Sequence, residues 1–195
     1  QELQENGIEV KKLYSKKADD LIEPFRIWQK RSFNLFKLAL RVDGSIEGSV
    51  SSLESRTYAH KIRDVVDMLY IGGNSVRVDR PILDSRLCGG KAPNVTIISN
   101  RDDFDRTTPL FDVKNRSVSI KKSIEKRQPS FAMIEGGGRL MDSFGGSIDW
   151  FLLFVAPRFG GVLRVDTSID LEILHASSMG GDSVLFCKPL SHTHI

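Results

Sequence analysis

The sequence predicts one α/β domain with a mostly parallel β-sheet and an antiparallel edge. Short, almost continuous apolar runs, typical of strands covered on both faces, first alternate with helical segments along the chain. A β-rich section with a glycine-containing hairpin turn then follows, as expected for a sheet that ends in antiparallel strands. The 195 residues, of which 40% are hydrophobic and 27% charged, suit a single globular domain.

Residues 1–32 predict a connecting segment that leads into the domain. They are polar, rich in Lys and Glu, and include one helical stretch, Ala18 to Lys30, which Pro24 is expected to interrupt. The domain itself is expected to span residues 33–195. Because the first residue is Gln rather than Met, we expect the natural protein to begin further upstream.

The domain is expected to begin with a buried strand followed by a helix. Phe33 to Val42 is almost continuously apolar, and Asp43-Gly44 supplies a turn after it. Ser52 to Asp67 has the pattern of a helix, with Ser51 or Ser52 as its N-cap. The inward-facing stripe of this segment is predicted to be Ile62, Val65, Val66 and Leu69.

Further strands, a short helix and a hairpin complete the predicted order of elements. The strands are expected at Met68–Ile71, Asn94–Ser99, Val118–Ile120, Phe131–Ile134 and Trp150–Val155. A short helix is expected at Arg139–Phe144 and a polar loop at residues 72–86. The hairpin joins Leu171–His175 to Ser183–Cys187 through Gly180-Gly181-Asp182.

Composition argues against several classes of protein. The formal charge of +3 arises from 28 basic and 25 acidic side chains that are interspersed, which favours solvated surface and does not suit a nucleic-acid-binding protein. Cys88 and Cys187 lack metal-binding spacing, so we expect no metal site. No apolar run has the length of a membrane span and no signal-peptide pattern is present. We therefore expect a cytoplasmic protein with free thiols and no membrane partner.

A glycine-rich turn is the strongest chemical feature of the sequence. Ile134 to Leu140 leads from an apolar strand through three glycines into a helix. Glycines let a backbone approach a ligand closely, and a helix N-terminus offers free N–H groups to a phosphate. The turn is consistent with a pyrophosphate-bearing cofactor, although turns of this kind also occur without ligands.

Two further features each allow two interpretations. Residues 72–86 are dense in Arg and Asp, which fits either a salt-bridged loop or a ligand-binding loop at the carboxyl end of a strand. Lys37 lies within a buried strand, where its amine must reach water, a partner or a ligand. His60 and His175 are isolated, so no histidine-based catalytic group is predicted.

Together these segments resemble the C-terminal reductase half of the bifunctional riboflavin-biosynthesis deaminase/reductase family, over nearly the whole chain. Phe36 to Gly44 is similar to the family's LKxAxSLDG strand, and residues 72–86 resemble its GxxTVxxDDPxLxxR segment. Pro93 to Asn100 resembles the strand PxRVVLDS, and Glu135 to Leu140 resembles EGGxxL.

The resemblance implies a three-layer dihydrofolate-reductase-like fold. It also implies NADPH-dependent reduction of 5-amino-6-(5-phosphoribosylamino)uracil to the ribitylamino compound. Lys37 and Glu135 would be catalytic, and the substrate contacts would be Arg63, Leu83, Arg86 and Glu135, since guanidinium groups suit a phosphate. The implied NADPH contacts are Ala39, Ser75, Asp79, Asn100, Gly137, Gly138, Arg139, Leu140, Met141, Asp142 and Ser143.

The resemblance also implies partners, namely a second copy in a homodimer and a fused N-terminal zinc deaminase domain. Residues 1–32 would then be the end of that domain and a linker. The chain departs from the family after Gly44, where the GESxWIT segment is reduced to Glu47–Ser51 and lacks its tryptophan. Two alternatives therefore stay open: a non-catalytic domain that supports assembly of an upstream deaminase, and a related reductase of dihydrofolate or another pteridine.

Overall fold

The fold is organised around one mixed β-sheet. The computed structural model describes residues 2–11, 13–124 and 130–190. Within these ranges the strands are β1 Phe33–Arg41, β2 Met68–Gly72, β3 Asn94–Ile98, β4 Val118–Lys121, β5 Phe131–Glu135, β6 Trp150–Ala156, β7 Leu171–Met179 and β8 Asp182–Pro189. They pair in the order β4-β3-β2-β5-β1-β6-β8-β7. Strands β1 to β6 are parallel, whereas β8 is antiparallel to β6 and to β7, which confirms the predicted sheet.

Three of the helices lie close to their predicted positions. The described residues form α1 Glu2–Glu5, α2 Lys16–Trp28, α3 Leu53–Val65, α4 Gly73–Asp79 and α5 Gly138–Phe144, with one-turn 3-10 helices at Arg86–Cys88, Pro109–Phe111 and Gly145–Ser147. The three that were predicted are α2, α3 and α5. Ser52 is the N-cap of α3, because its hydroxyl accepts a hydrogen bond from the Ser55 N–H at 3.2 Å. Helix α2 runs through Pro24 and is not interrupted there.

Helices cover both faces of the sheet and create three layers. Side chains alternate along β1, so that Phe36 belongs to the cluster that includes Phe144 of α5, and Leu35 to the cluster that includes Ala59 of α3. Helix α4 adds a third cluster over β2 and β3 through Val76. The three-layer arrangement agrees with the predicted fold class.

Residues 73–79 form a helix where the sequence predicted a polar loop. Val76 in α4 is fully buried against β2 and β3. Gly73 approaches Ser99 so closely that a Cβ on Gly73 would lie 2.7 Å from the Ser99 Cβ. Helix α4 has only seven residues, so no helical period could be recognised, and tertiary packing stabilises it instead.

The inward-facing stripe of α3 differs from the predicted one. Val65 is 64% exposed, whereas Ala59, Ile62 and Val66 pack against the sheet. These three residues are spaced by three and then four positions, which keeps them on one face of a helix and turns Val65 away from it.

Three further observations concern the described part of the chain. No helix in it is both long and apolar enough to cross a membrane. No three His, Cys, Asp or Glu side chains in it are grouped so as to hold a metal ion. Both cysteines are free thiols, with Cys88 exposed and Cys187 buried.

Candidate active site

The register between β1 and β5 places Lys37 beside Glu135. The strands are parallel neighbours, and Lys37 is the Cα partner of Glu135, the last residue of β5. Lys37 Nζ lies 3.8 Å from Glu135 Oε2, and the two side chains are 16% and 12% exposed. The partner that the buried Lys37 requires is therefore a carboxylate at the carboxyl end of a strand, where open α/β sheets bind ligands.

Arg63, in the last turn of α3, holds the same carboxylate from the other side. Its Nε lies 2.7 Å from Glu135 Oε1 and its Nη2 lies 2.9 Å from Oε2, a paired arrangement that fixes the orientation of both groups. Its Nη1 donates to the Asp84 carbonyl oxygen at 3.2 Å. Arg63 thus connects α3, β5 and the loop after α4.

The surroundings of the site lower the pKa values of both Glu135 and Lys37. Burial raises the pKa of Glu135, but attraction to Arg63 and Lys37 and the hydrogen bonds from Arg63 outweigh burial and lower it to about 2. Burial lowers the pKa of Lys37, Glu135 opposes that effect, and the positive charge of Arg63 adds to it. Glu135 is therefore anionic at neutral pH, while Lys37 holds its proton less firmly than a lysine in water.

The loop after α4 brings the other predicted substrate residues towards Arg63. Arg86 is exposed and donates to Asp84 Oδ1 at 2.6 Å, next to the Asp84 carbonyl that Arg63 contacts. Leu83 has a left-handed backbone with φ of 57°, and its side chain is buried in the core. The structure thus pairs Arg63 with Glu135 and connects Arg86 to Arg63 through Asp84, whereas the Leu83 side chain is buried in the core.

The glycine turn and α5 hold most of the predicted cofactor residues. Gly137 is the N-cap of α5 and no side chain caps the helix. A Cβ on Gly138 would lie 2.8 Å from Thr167 Oγ1, so residues 166–167 of the chain cover one side of the helix start. Of the rest, Leu140 and Met141 are buried in the core, while Arg139, Asp142 and Ser143 are exposed.

The other predicted cofactor residues lie in β1 or in the segments that follow β2 and β3. Ala39 lies in β1 two residues after Lys37 and on the same face. Ser75 and Asp79 lie in α4, which follows β2, and Asn100 follows β3. Asp79 and Asn100 are exposed at the surface, although partial desolvation of the Asp79 carboxyl raises its pKa.

The sequence did not indicate a pair of carboxylates, Asp43 and Glu47, that hold residues 160–163. We call this pair the carboxylate clamp. Asp43 Oδ2 accepts from the Gly160 N–H at 2.8 Å. Glu47 accepts from the N–H groups of residues 162 and 163 at 2.9 and 2.8 Å. Hydrogen bonds from Gly160 and Ser45 lower the pKa of Asp43 to about 2. The shortened loop after Gly44 is thereby tied to a second loop, a pairing that no local pattern indicates.

A cavity of about 390 Å³ lies beside the clamp, on the face of the sheet that Lys37 does not occupy. Leu38 and Leu40 line it from β1, and Met141 and Arg164 line it from α5 and the segment before β7. Because neighbouring side chains in a strand point to opposite faces, the cavity and the Lys37–Glu135 pair are separated by the sheet.

Comparison with known proteins gives relatives by sequence, although no family model matches the chain. RibD of Synechocystis is 32% identical over 119 residues, which cover 56% of this chain and 32% of that protein. RibD of Aquifex aeolicus is 26% identical over 243 aligned positions, which cover 96% of this chain and 67% of that protein. The chain therefore spans about a third of the length of the first relative and two thirds of the second.

Solved structures agree with this relationship at the level of the fold. A deaminase/5-amino-6-(5-phosphoribosylamino)uracil reductase of Thermotoga maritima superposes with a TM-score of 0.73 at 18% identity, covering 97% of this chain and 66% of its own. A dihydrofolate reductase of Enterococcus faecalis, complexed with NADP(H), superposes with a TM-score of 0.55 at 11% identity, covering 80% and 96%. The chain is thus similar in sequence to riboflavin biosynthesis proteins named RibD, and its fold is the dihydrofolate-reductase-like fold.

Proposed function

We propose that the chain is a reductase that uses NADPH to convert 5-amino-6-(5-phosphoribosylamino)uracil into its ribitylamino counterpart. The observation that supports this most directly is the shielded Lys37–Glu135 pair at the end of β5, with Arg63 paired to the same carboxylate. The names of the RibD relatives and the reductase structures of the same fold support the substrate class and the cofactor.

Substrate recognition is assigned to the loop after α4 and to the end of α3. Arg86 is exposed, and among the described residues its one ion-pair partner is the neighbouring Asp84 carboxylate, so it is available to a sugar phosphate. Arg63 is already bonded to Glu135 and Asp84, so its main task is to orient Glu135. Leu83 contributes through its backbone, because its side chain is buried.

The residues around the glycine turn fit a nicotinamide dinucleotide. Within the described part of the chain, a Cβ on Gly137 would meet only Ile46 Cδ1, at 3.4 Å, so the backbone of the turn is open on that side. When bound, NADPH supplies the hydride that reduces C1′ of the sugar. The residues assigned to it are Ala39, Ser75, Asp79, Asn100 and the run from Gly137 to Ser143, in which Leu140 and Met141 contribute backbone atoms.

Lys37 donates a proton in this proposal, and Glu135 supplies a negative charge. Opening of the ribose ring leaves a cationic imine at C1′ and requires a proton on the ring oxygen. The Lys37 ammonium donates that proton, which burial makes easier to release. Glu135 stays anionic, holds Lys37 in place and stabilises the positive charge of the imine until the hydride arrives.

The remaining proposals concern the whole protein. Residues 1–32 are assigned to the end of a deaminase domain and a linker, residues 33–195 to the reductase domain, and the domain is expected to form a homodimer. RibD-type relatives that are longer than this chain support the first of these assignments.

The test measures oxidation of NADPH by the chain as a loss of the absorbance of the reduced nicotinamide. A separate deaminase generates the substrate in the same reaction mixture. Lys37→Ala and Glu135→Gln are expected to lower turnover by roughly 10²–10⁴-fold, as for loss of a general acid or its partner. Lys61→Ala, an exposed lysine on α3, is the matched control and should turn over like the unaltered chain. Absence of both turnover and NADPH binding would instead favour a non-catalytic assembly role.

A further inference from the structure

His60 occupies a position next to the proposed catalytic residues that their chemistry does not explain. It lies in α3 one turn before Arg63 and is only 6% exposed. Burial of a polar imidazole in a packed helix face costs free energy unless its nitrogen atoms have partners. Its two ring nitrogens point in different directions, one towards Arg63 and the other towards the loop after α4.

The neighbours of the ring both present N–H groups. His60 Nε2 lies 3.3 Å from Arg63 Nη1, and Nδ1 lies 3.4 Å from the Leu87 backbone nitrogen. A neutral imidazole accepts through one nitrogen only, whereas a protonated imidazole accepts through neither. The cationic donor favours acceptance by Nε2 from Arg63, since hydrogen bonds from charged donors are the stronger kind. Nδ1 then carries the proton and has Asp84 Oδ1 at 4.0 Å.

The surroundings of His60 also favour its neutral form. Burial and the positive charge of Arg63 lower the pKa of His60 to about 4, with Asp84 and Glu135 opposing and Arg86 adding to the effect. The nearest carboxylate oxygen, Asp84 Oδ1, is 4.0 Å from Nδ1. The ring is therefore neutral at neutral pH and able to accept a hydrogen bond.

We propose that neutral His60 is a positioning residue that fixes the plane of the Arg63 guanidinium by accepting from Nη1. This inference rests on the proposed reductase function. Nη1 is held by His60 and by the Asp84 carbonyl oxygen, which leaves Nε and Nη2 aligned with the two oxygens of Glu135. Without His60 the guanidinium keeps its bonds to Glu135 and Asp84 but loses one of the contacts that fix its plane, so the alignment of Glu135 with Lys37 loosens.

Two polar substitutions of similar size test which ring nitrogen matters. The side-chain oxygen of His60→Gln takes the place of Nε2, facing Arg63, whereas that of His60→Asn takes the place of Nδ1, facing Leu87. We expect His60→Gln to keep kcat within a few-fold of the unaltered chain and His60→Asn to lower kcat by about 10–100-fold, as for misplaced reacting groups. The change should fall on kcat more than on KM, because Arg86 is untouched. His175→Asn, at an exposed position in β7, is the matched control.

A measurement that does not depend on turnover separates this inference from the proposed function. The carboxyl carbon of Glu135 is followed by NMR as the pH is lowered in the full chain. In His60→Asn the pKa of Glu135 should rise relative to the unaltered chain, and in His60→Gln it should stay close to it. Thermal unfolding of each variant establishes that it is folded.

The outcomes distinguish the two ideas. If the unaltered chain shows no reductase turnover, the proposed function fails, while the titration of Glu135 still decides the role of His60. The positioning role through Nε2 is overturned if His60→Gln and His60→Asn have the same Glu135 pKa and the same kcat. This holds whether both variants are active or both are impaired. A Glu135 titration that only His60→Asn alters supports it.

Discussion

Lys37 and Glu135 face each other across two parallel strands, with Nζ 3.8 Å from Oε2, and Arg63 pairs with the same carboxylate. The Glu135 carboxylate thus lies between two cationic groups, and all three side chains are largely buried. Arg63 makes the closer contact and keeps its proton at any working pH. Burial lowers the pKa of Lys37, Glu135 opposes this effect, and the positive charge of Arg63 adds to it.

The first prediction concerns the stability of the fold in acid. The pKa of Glu135 is lowered from 4.5 to about 2, so its ionised form stabilises the fold above pH 4.5, and this contribution is lost as the pH falls towards 2. Glu135→Gln should lower the free energy of unfolding at neutral pH by about 3–5 kcal/mol, as for a broken buried ion pair. Urea unfolding at several pH values should show that the difference in unfolding free energy between the unaltered chain and Glu135→Gln becomes smaller as the pH is lowered. A difference that stays constant with pH would contradict the ionised pair, and Glu54→Gln at an exposed site of α3 serves as control.

The second prediction concerns Arg86 and the substrate phosphate. Arg86→Ala should raise KM for the phosphorylated substrate by roughly tenfold or more, since hydrogen bonds to charged groups contribute about 1.5–3 kcal/mol. The value of kcat should change little, because Arg86 contacts neither Lys37 nor Glu135 in the structure. Steady-state kinetics measure both quantities. Arg106→Ala, an exposed arginine in the loop after β3, should leave both unchanged, and an equal KM in all three proteins would exclude phosphate binding by Arg86.

The third prediction concerns Arg116, which supports the loop that contains Leu83. Its guanidinium donates to the carbonyl oxygens of Ile82 and Leu83 at 2.6 and 2.8 Å and also to that of Leu110. Arg116→Lys keeps the charge but cannot bond three carbonyls in a plane, so we expect a loss of about 1–3 kcal/mol of unfolding free energy. Arg56→Lys on the exposed side of α3 is the comparison, and equal urea midpoints would show that the three bonds contribute nothing.

The fourth prediction concerns the carboxylate clamp. Glu47→Gln removes the negative charge that accepts the N–H groups of Val162 and Leu163 and leaves a weaker amide acceptor. Hydrogen exchange of these two amides should become faster, while exchange in the central strands stays the same. Mass spectrometry of a peptide covering residues 157–165 measures this. Unchanged exchange there would mean that Asp43 and Ser45 hold the loop without Glu47.

The sequence predicted a good part of the candidate site because its residues lie next to strong local signals. Lys37 was singled out as a lysine in an apolar strand, and Glu135 as the residue between a strand and three glycines. Their adjacency depends on the pairing of β1 with β5, whose residues are almost a hundred positions apart, and the chain between them contains no pattern that fixes the register. His60 is isolated in the sequence because the Leu87 N–H beside it belongs to a distant loop, and because its contact with Arg63, one helical turn away, matches no catalytic pattern.

By itself the sequence determined the order of elements, the α/β class and the antiparallel edge, because apolar periodicity, helix caps and glycine turns act over a few residues. Tertiary structure alone decided that residues 73–79 are helical, that Asp43 and Glu47 clamp residues 160–163, and that Arg63 pairs with Glu135. Each of these depends on groups that are distant along the chain and meet only when the layers pack. These contacts, rather than burial, lower the pKa values of Glu135 and Asp43, which local sequence cannot specify.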